Sequence, residues 1–184
     1  MEWGKFRADK ALEVVLYILS KGCTNMYNVL KVIYFADKTH MKMTGHTIFK
    51  DRYVAMKNGP VPSGAYDLFK AAKNPVHSSN ASDYDALVKD AVALEEGVSY
   101  IFKALRNPNL RMFSRADCVS LDEAIEKYGH MPIGDLITIS HKGIDYIKAD
   151  ENDIMSFDLF VQSVDDENSS IRTFLEECME EAVC

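Results

Sequence analysis

The stretch Lys31-Val32-Ile33-Tyr34-Phe35-Ala36-Asp37-Lys38 decides the fold, because it forms the middle of a long apolar helix pattern. Thr24 or Asn25 can cap the free backbone N–H groups at its start, and the pattern runs to about Met43. The apolar positions cover the helix nearly all round, and they are Met26, Val29, Leu30, Val32, Ile33, Tyr34, Phe35 and Ala36. Since a helix that is apolar on nearly every side is buried, this one is predicted to lie in the centre of the fold.

A carboxylate lies on the same helix. Helical spacing places Asp37 on one stripe with Leu30, Ile33, Tyr34 and Met41. An ionised carboxylate in such a place is costly unless other groups donate hydrogen bonds to it. We expect that Arg52, or backbone N–H groups near the corner at residues 59–63, donates these bonds and locks the helix against the hairpin. Direct contact with a partner protein, or a chemical role, is the alternative for Asp37.

The next informative stretch is Asp51-Arg52-Tyr53-Val54-Ala55-Met56-Lys57-Asn58-Gly59-Pro60-Val61-Pro62. Residues 47–49 and 53–56 carry β-branched or aromatic side chains on either side of a polar tripeptide, which predicts a short hairpin. Pro60 and Pro62 cannot donate ladder hydrogen bonds, so the sheet is expected to stop in a stiff corner, with Ser63 capping the next helix. The hairpin edge and the corner could bind an extended partner segment, although simply turning the chain is the favoured interpretation.

The same periodicities predict the remaining elements. They are a helix from about Arg7 to Ser20, closed by Gly22; a helix after Ser63 that ends at Asn74-Pro75; an exposed loop over residues 76–85 and a helix after it; a strand within residues 97–105 that joins the hairpin; a helix from the capping box Ser114–Asp117 to Gly129; and a helix that starts at Pro132. The predicted fold is α+β and predominantly helical, with a buried central helix and a short β-hairpin or small antiparallel sheet.

Length and composition predict one compact domain. A chain of 184 residues with 47% hydrophobic content can bury roughly 70% of its unfolded surface without metal or disulfide support. We assign residues 1–160 to this domain and residues 161–184 to an acidic amphipathic segment. No apolar run is long enough for a membrane span or a secretory leader, so a cytoplasmic protein with free thiols is expected.

Taken in order, the two quoted stretches resemble the Panacea domain family, whose SocA-like, phage-associated members occur in bacteria and their mobile elements. That family carries an L-x-Y-F-A-D-like segment in a buried helix and a G-P-V-P-like corner before another helix. Leu136, Ile137, Ser140 and His141 resemble its later element, and Tyr146 stands about where the family usually has a Trp. The resemblance covers roughly residues 8–150.

The resemblance implies an antitoxin that binds and neutralises a protein toxin encoded nearby, with no enzymatic activity and no cofactor. It also implies a set of motif residues that form the scaffold or contact the partner. They are Tyr34, Asp37, His40, Arg52, Tyr53, Lys57, Gly59, Pro60, Val61, Pro62 and Tyr66.

The net charge of −7 is concentrated at the C-terminal end. Residues 165–184 hold seven acids and one base, whereas the other 164 residues hold 21 acids and 20 bases. Helical spacing there places Ile171, Phe174, Leu175, Cys178 and Met179 on one stripe, opposite most of the glutamates. This segment is predicted either to pack on the core with a solvated acidic face or to contact a basic toxin, because complementary charge speeds encounter.

Other functions have weaker support in the sequence. Asp37, His40 and His46 could share a metal, but no H-E-x-x-H or Cys cluster completes such a site. Adjacent Ser140 and His141 do not make a catalytic triad. A winged-helix DNA-binding regulator would need more clustered cations than Lys70 and Lys73 supply, so no nucleic-acid partner is expected. The alternative from another class is an adaptor that delivers a partner to a protease, for which the acidic end and Val183-Cys184 are the hints.

Overall fold

The computed structural model describes residues 2–73 and 81–164. These form eight α-helices, one short 3-10 helix and four strands. In chain order they are α1 (Ala8–Ser20), α2 (Met26–Thr44), β1 (Tyr53–Met56), β2 (Gly59–Pro62), α3 (Ser63–Lys73), α4 (Ala81–Val88), β3 (Val92–Leu94), β4 (Phe102–Ala104), the 3-10 helix (Leu110–Met112), α5 (Arg115–Tyr128), α6 (Ile133–Ser140), α7 (Ile144–Ile147) and α8 (Phe157–Val164). The fold is therefore α+β and predominantly helical, as predicted.

Helix α2 is the central element, which confirms the prediction from its apolar pattern. It packs against α5, α6, α8 and β2, and most of its side chains are buried. The Asn25 side chain accepts a hydrogen bond from the Tyr27 N–H and caps the start of the helix. Gly45 ends it in the left-handed conformation, at φ 74°. The sequence on either side of the quoted stretch thus fixes both ends of the helix.

The hairpin differs from the predicted one. Strand β1 pairs antiparallel with β2, in the register Tyr53↔Pro62, Val54↔Val61, Ala55↔Pro60 and Met56↔Gly59. Residues 47–49 form no strand. The Gly59–Pro62 segment is therefore part of the sheet, and the expectation that its prolines end the sheet was wrong.

The alternation of hydrogen bonds along β1 explains why the prolines are tolerated. The backbone groups of Tyr53 and Ala55 form hydrogen bonds with residues 152–155. The Ala55 N–H donates to the Asp153 carbonyl (3.0 Å), and the Met155 N–H donates to the Tyr53 carbonyl (2.8 Å). The backbone N–H and C=O groups of Val54 and Met56 consequently point toward β2. The two prolines of β2 lie opposite Ala55 and Tyr53, whose backbone groups point away from it. Because antiparallel pairs alternate between hydrogen-bonded and non-bonded positions, neither proline needs an N–H for this ladder.

The second sheet is separate from the hairpin. Strand β4 lies within residues 97–105, as predicted, but it pairs antiparallel with β3 rather than joining β1. Helix α4 already begins at Ala81, inside the predicted loop over residues 76–85. Residues 74–80, which include the rest of that loop and the predicted Asn74-Pro75 helix end, lie outside the described residues.

Three sequence signals for helix ends are confirmed. Ser114 and Asp117 form the capping box of α5 through both reciprocal hydrogen bonds. Pro132 is the N-cap residue of α6. Gly22, just after α1, has φ +89°, a conformation that favours glycine.

The C-terminal helices pack on α2 and create a second apolar cluster. This cluster contains Tyr34, Met41, Tyr53, Ala55, Met155, Phe160 and Val161, with Trp3 from the N-terminal segment packed against it. The proposed domain boundary at residue 160 falls inside α8. The predicted acidic segment lies almost entirely outside the described residues, so its packing remains a prediction. Among the residues that the structure describes, no helix combines the length and apolarity needed to cross a membrane.

Candidate functional site

Asp37 is fully buried and joins α2 to the segment that follows it. Its carboxylate accepts hydrogen bonds from the Ile48 N–H (2.8 Å) and the Tyr53 hydroxyl (2.7 Å). Burial raises the pKa of Asp37 to about 6, and these two hydrogen bonds reduce the rise without cancelling it. The predicted lock is present, but the predicted donors were wrong, because neither Arg52 nor residues 59–63 donate to this carboxylate.

Asp51 receives the backbone hydrogen bonds that the sequence had suggested for Asp37. Its carboxylate accepts from the N–H groups of Gly64 and Ala65, both at 2.9 Å, in the first turn of α3. A buried carboxylate from an earlier loop therefore satisfies these free N–H groups, whereas Ser63 is the first residue of the helix rather than its predicted cap. Arg52 is exposed and donates to the Ser63 hydroxyl at 3.4 Å.

His40 belongs to a buried charged cluster between three helices. Asp117 in α5 accepts from Lys10 of α1 (2.7 Å), and its other oxygen lies 3.1 Å from His40 Nε2. His40 Nδ1 lies 2.6 Å from the carbonyl oxygen of His46. Both ring nitrogens face acceptor oxygens, which favours an imidazolium, and the Thr44 hydroxyl also lies 3.1 Å from Nδ1. Burial lowers the pKa of His40, but the hydrogen bonds to Asp117 and His46 outweigh burial and raise it.

Tyr34 and Lys38 attach the C-terminal helices to α2. The Tyr34 hydroxyl donates to Asp145 at 2.8 Å, and the Lys38 ammonium lies 3.1 Å from the other carboxylate oxygen of this residue. Lys38 also donates to the Ser163 hydroxyl of α8. Asp145 is fully buried. Tyr34, like Asp37 and His40, therefore holds the scaffold together.

A groove opens beside the hairpin, between α2, the Met56–Gly59 turn and the start of α6. We call it the hairpin groove, and its volume is about 290 Å³. Among the described residues, six apolar or aromatic side chains line it: Tyr27, Leu30, Met56, Val61, Tyr66 and Ile133. Its polar lining consists of Lys31, Lys57, Asn58 and Asn152.

The apolar rim of the hairpin groove is accessible to a partner. Tyr27 is 43% exposed and Ile133 is 39% exposed. Tyr27 also packs against Tyr100, which is 44% exposed, with ring centroids 5.9 Å apart. Exposed apolar side chains that adjoin a concave surface are typical of binding sites.

Polar groups converge behind the groove at Gly59, which has φ +96°. A Cβ atom placed there would lie 2.5 Å from Ser140 Oγ, 2.7 Å from Lys31 Nζ and 3.2 Å from His141 Cδ2. The Lys31 ammonium donates to the Pro60 carbonyl oxygen at 2.8 Å. Glycine is thus required both by the backbone conformation and by the close approach of these groups.

The motif residues predicted from the sequence divide into two sets. Lys57, Val61 and Tyr66 line the hairpin groove, and Gly59 and Pro60 lie directly behind it. The remaining motif residues lie away from the groove lining, and they are Tyr34, Asp37, His40, Arg52, Tyr53 and Pro62.

Sequence reasoning did not name Lys31, Tyr27 or Ile133 as site residues. A lysine within the most apolar part of α2 was the available signal for Lys31. The tail candidates Ile171, Phe174, Leu175 and Met179 lie outside the described residues. The protease-adaptor alternative rests on the same segment and stays a prediction.

A protein-family model covers the motif residues that line the hairpin groove. The model of the Antitoxin SocA-like, Panacea domain family matches residues 29–143, which is more than half of the chain. The match begins within α2 and includes the hairpin, α3, α5 and α6. A search of curated proteins and a search of solved structures each found no match. The chain belongs to the Antitoxin SocA-like, Panacea domain family.

Proposed function

We propose that this protein is the antitoxin of a toxin-antitoxin pair and neutralises a cognate protein toxin by binding it through the hairpin groove. The antitoxin family supports the general role and favours a non-enzymatic one. The observation that carries the proposal is the groove itself, where motif residues Lys57, Val61 and Tyr66 lie beside exposed Tyr27 and Ile133. The proposed setting is the cytoplasm, with the toxin encoded nearby on a mobile element.

The groove has the composition of a protein-binding hot spot. Tyrosines are enriched at such sites, and a concave apolar centre with a polar rim excludes water around the buried anchor. The groove walls are also rigid, because α2 is the buried centre of the fold and β2 is held against it through Lys31 and Pro60. A preorganised surface loses little conformational entropy on binding. Neutralisation then requires occlusion of the toxin and no chemical step.

The test is to express the neighbouring gene alone and together with this chain. Toxicity of the neighbour and rescue by the antitoxin are the expected results. Ile133→Asp should abolish rescue, because it places a charge on the apolar rim; a carboxylate at this first position of α6 remains compatible with the helix. Tyr27→Ala should raise the dissociation constant of the complex with the toxin about 30-fold, which is the effect of a hot-spot residue worth about 2 kcal/mol.

Leu110→Asp is the matched control, since Leu110 is 60% exposed and is not among the residues lining the hairpin groove. It should rescue growth as well as the unchanged chain does. Full rescue by a folded Ile133→Asp variant would contradict the assignment of the groove. A neighbour that is not toxic would contradict the antitoxin proposal itself.

A further inference from the structure

Lys31, the buried lysine of the hairpin groove lining, has no counter-charge among the described residues. Lys31 is 4% exposed, and the hydrogen bond to the Pro60 carbonyl uses one of the three donors of its ammonium group. Among the described residues, no carboxylate forms an ion pair with it. From these contacts we infer that the hairpin groove binds a segment of the toxin in which an apolar side chain is followed by a carboxylate, and that Lys31 and Lys57 bind this carboxylate.

This inference rests on the proposed function and names the chemistry of the partner. The groove supports it in two ways. Among the described residues, those that line it include two lysines and no acid, in a chain of net charge −7. Its volume of about 290 Å³ lies at the small end of ligand pockets, which span roughly 300–1,000 Å³. That size suits a single large side chain with its neighbouring carboxylate better than a whole helix.

The surroundings of Lys31 favour an anion. Strand β2 presents the Pro60 carbonyl, and the end of α6 presents Ser140 and His141. The other titratable groups nearby are Tyr27, Lys57 and Tyr66 in the groove lining and Tyr146, which stacks on His141 with ring centroids 4.4 Å apart. Burial and the charge of Glu151 raise the pKa of Tyr146. Among the described residues that line the groove, none carries a carboxylate. His141 Nε2 is buried and has no hydrogen-bond partner among the described residues.

The lysine itself should respond to an anionic ligand. Burial lowers the pKa of Lys31 to about 7, because the ammonium form loses hydration without gaining a carboxylate. A bound carboxylate would supply the missing charge and raise this pKa. Binding should therefore take up a proton near neutral pH, and affinity should fall as the pH rises above 7.

The experiment uses two probes that differ by one charge, N-acetyl-L-phenylalanine and N-acetyl-L-phenylalaninamide. Each is titrated into the full-length protein, and NMR follows the amide signals of Leu30, Val61 and Ile133 together with the Lys31 side chain. The acid should shift these signals and bind about tenfold more tightly than the amide, as a charge-assisted hydrogen bond allows. The pKa of Lys31 should rise when the acid is bound.

Variants separate the role of Lys31 from general effects. Lys31→Met should remove the preference for the acid over the amide, whereas Lys31→Arg should keep part of it. Lys103→Met, at an exposed position on β4, is the matched control and should leave the affinity for both probes unchanged. If Lys31→Met fails to fold, the pH dependence of the unchanged protein remains decisive, because the acid must bind less tightly above the pKa of Lys31.

Equal affinity for the two probes, or binding with no change at Lys31, would overturn the inference. It would also be overturned if the acid bound only after deletion of residues 165–184, since the acidic end of this chain would then be the occupant. The outcome for the proposed function is separate. If Ile133→Asp abolishes toxin binding but the probes show no preference for the acid, the inference fails and the proposed function stands. If Ile133→Asp leaves toxin binding intact but the probes show the preference for the acid, the groove binds anions without a role in neutralisation. The inference that it binds a segment of the toxin would then fail.

Discussion

At the scale of single residues, Asp37 shows how a buried carboxylate is tolerated through two precise donors. Asp37→Leu would leave the Ile48 N–H and the Tyr53 hydroxyl unsatisfied, at about 1–3 kcal/mol for each group. Asp37→Asn can keep both contacts, because its amide oxygen accepts and its NH₂ group can donate to the tyrosine oxygen. We expect the free energy of unfolding of the Leu variant to fall by most of the sum of these two costs. The free energy of unfolding of the Asn variant should remain within about 1 kcal/mol of that of the unchanged protein at pH 7.

The pH dependence of these variants provides a second readout. The pKa of Asp37 is about 6 in the folded state against an ordinary value of 3.8, so the folded state binds a proton more readily than the unfolded state between these two values. The stability contributed by that proton is present below the unfolded pKa and is lost as the pH rises through 6. Relative to Asp37→Asn, the unchanged protein should therefore lose about 1 kcal/mol between pH 5 and pH 7 in urea unfolding. A constant difference across this range would contradict the account.

Gly59 provides a prediction with a close internal control. An alanine at Gly59 meets both a positive φ of +96° and the close approach of Ser140 and Lys31, whereas Gly97 has φ +80° with open space around it. Gly97→Ala should cost about 1 kcal/mol from backbone strain alone, and Gly59→Ala about 3 kcal/mol or more. Chemical denaturation of both variants measures the difference. Equal losses would show that the groups behind the groove can move away at little cost.

At the scale of elements, one carboxylate holds three helices together. Asp117 belongs to α5 and contacts Lys10 of α1 and His40 of α2, and it also accepts from the Ser114 N–H in the capping box. These partners hold the pKa of Asp117 well below its usual range, against the effect of burial. The contacts at the start of α5 are thus both a local cap and a tertiary link.

Asp117→Ala should destabilise the protein by about 3–5 kcal/mol, because it leaves Lys10 and His40 buried without their carboxylate. Glu123→Ala in the same helix is the control, since Glu123 is exposed, and it should cost less than about 1 kcal/mol. In the Asp117→Ala protein, an NMR titration should show the pKa of His40 below its value in the unchanged protein. A loss no larger than that of the control would mean that the cluster contributes little.

The contribution of His40 has its own pH dependence. Because the pKa of His40 is raised above 6.5 in the folded state, its stabilisation is complete below 6.5 and declines as the pH rises through the folded value. The stability difference between the unchanged protein and His40→Gln, measured by urea unfolding, should therefore shrink from pH 6 to pH 8. A difference that grows over this range would contradict the protonated state of the ring.

Element identities followed from local sequence, but pairing did not. The cap at Asn25, the capping box at Ser114 and the start of α6 after Pro132 depend on groups a few residues apart, so the sequence predicts them. The pairing of β1 depends on residues 152–155, which form hydrogen bonds with its other edge. These residues lie about 100 positions away in the sequence. The tolerance of Pro60 and Pro62 follows from that distant contact, which no local rule contains.

At the scale of the whole molecule, the candidate site was predictable in part. The family resemblance selected Lys57, Val61 and Tyr66, which do line the hairpin groove. It gave no reason to include Ile133, because this residue reaches the groove only once α6 packs beside β2 and α2. Lys31 was visible as a cation inside an apolar helix pattern. Only the folded structure could show that no carboxylate in the described part of the chain pairs with it.

The single tryptophan allows a test of whether the molecule unfolds as one unit. Trp3 packs against Phe157 (4.9 Å between ring centroids) and Phe160 (5.1 Å), and its indole N–H donates to the Met155 carbonyl at 2.9 Å. It therefore reports on the second apolar cluster, which contains Tyr34 of α2. Neighbouring Ile33 belongs to the main core, the larger cluster of buried apolar side chains that also includes Leu16, Tyr17 and Phe69. Because both clusters share α2, neither should survive the loss of the other.

We expect Trp3 fluorescence and far-ultraviolet circular dichroism to give the same urea midpoint, since coincident probes indicate a single cooperative transition. A second reporter, Phe113→Trp in a Trp3→Phe background, monitors the neighbourhood of Tyr17, whose ring centroid lies 5.4 Å from that of Phe113. Its fluorescence midpoint should match the dichroism midpoint of the same variant. A fluorescence transition at lower urea for Trp3 alone would show that α8 and the N-terminal segment detach first. The second cluster would then be an independent unit, and the shared central helix would not couple the two halves.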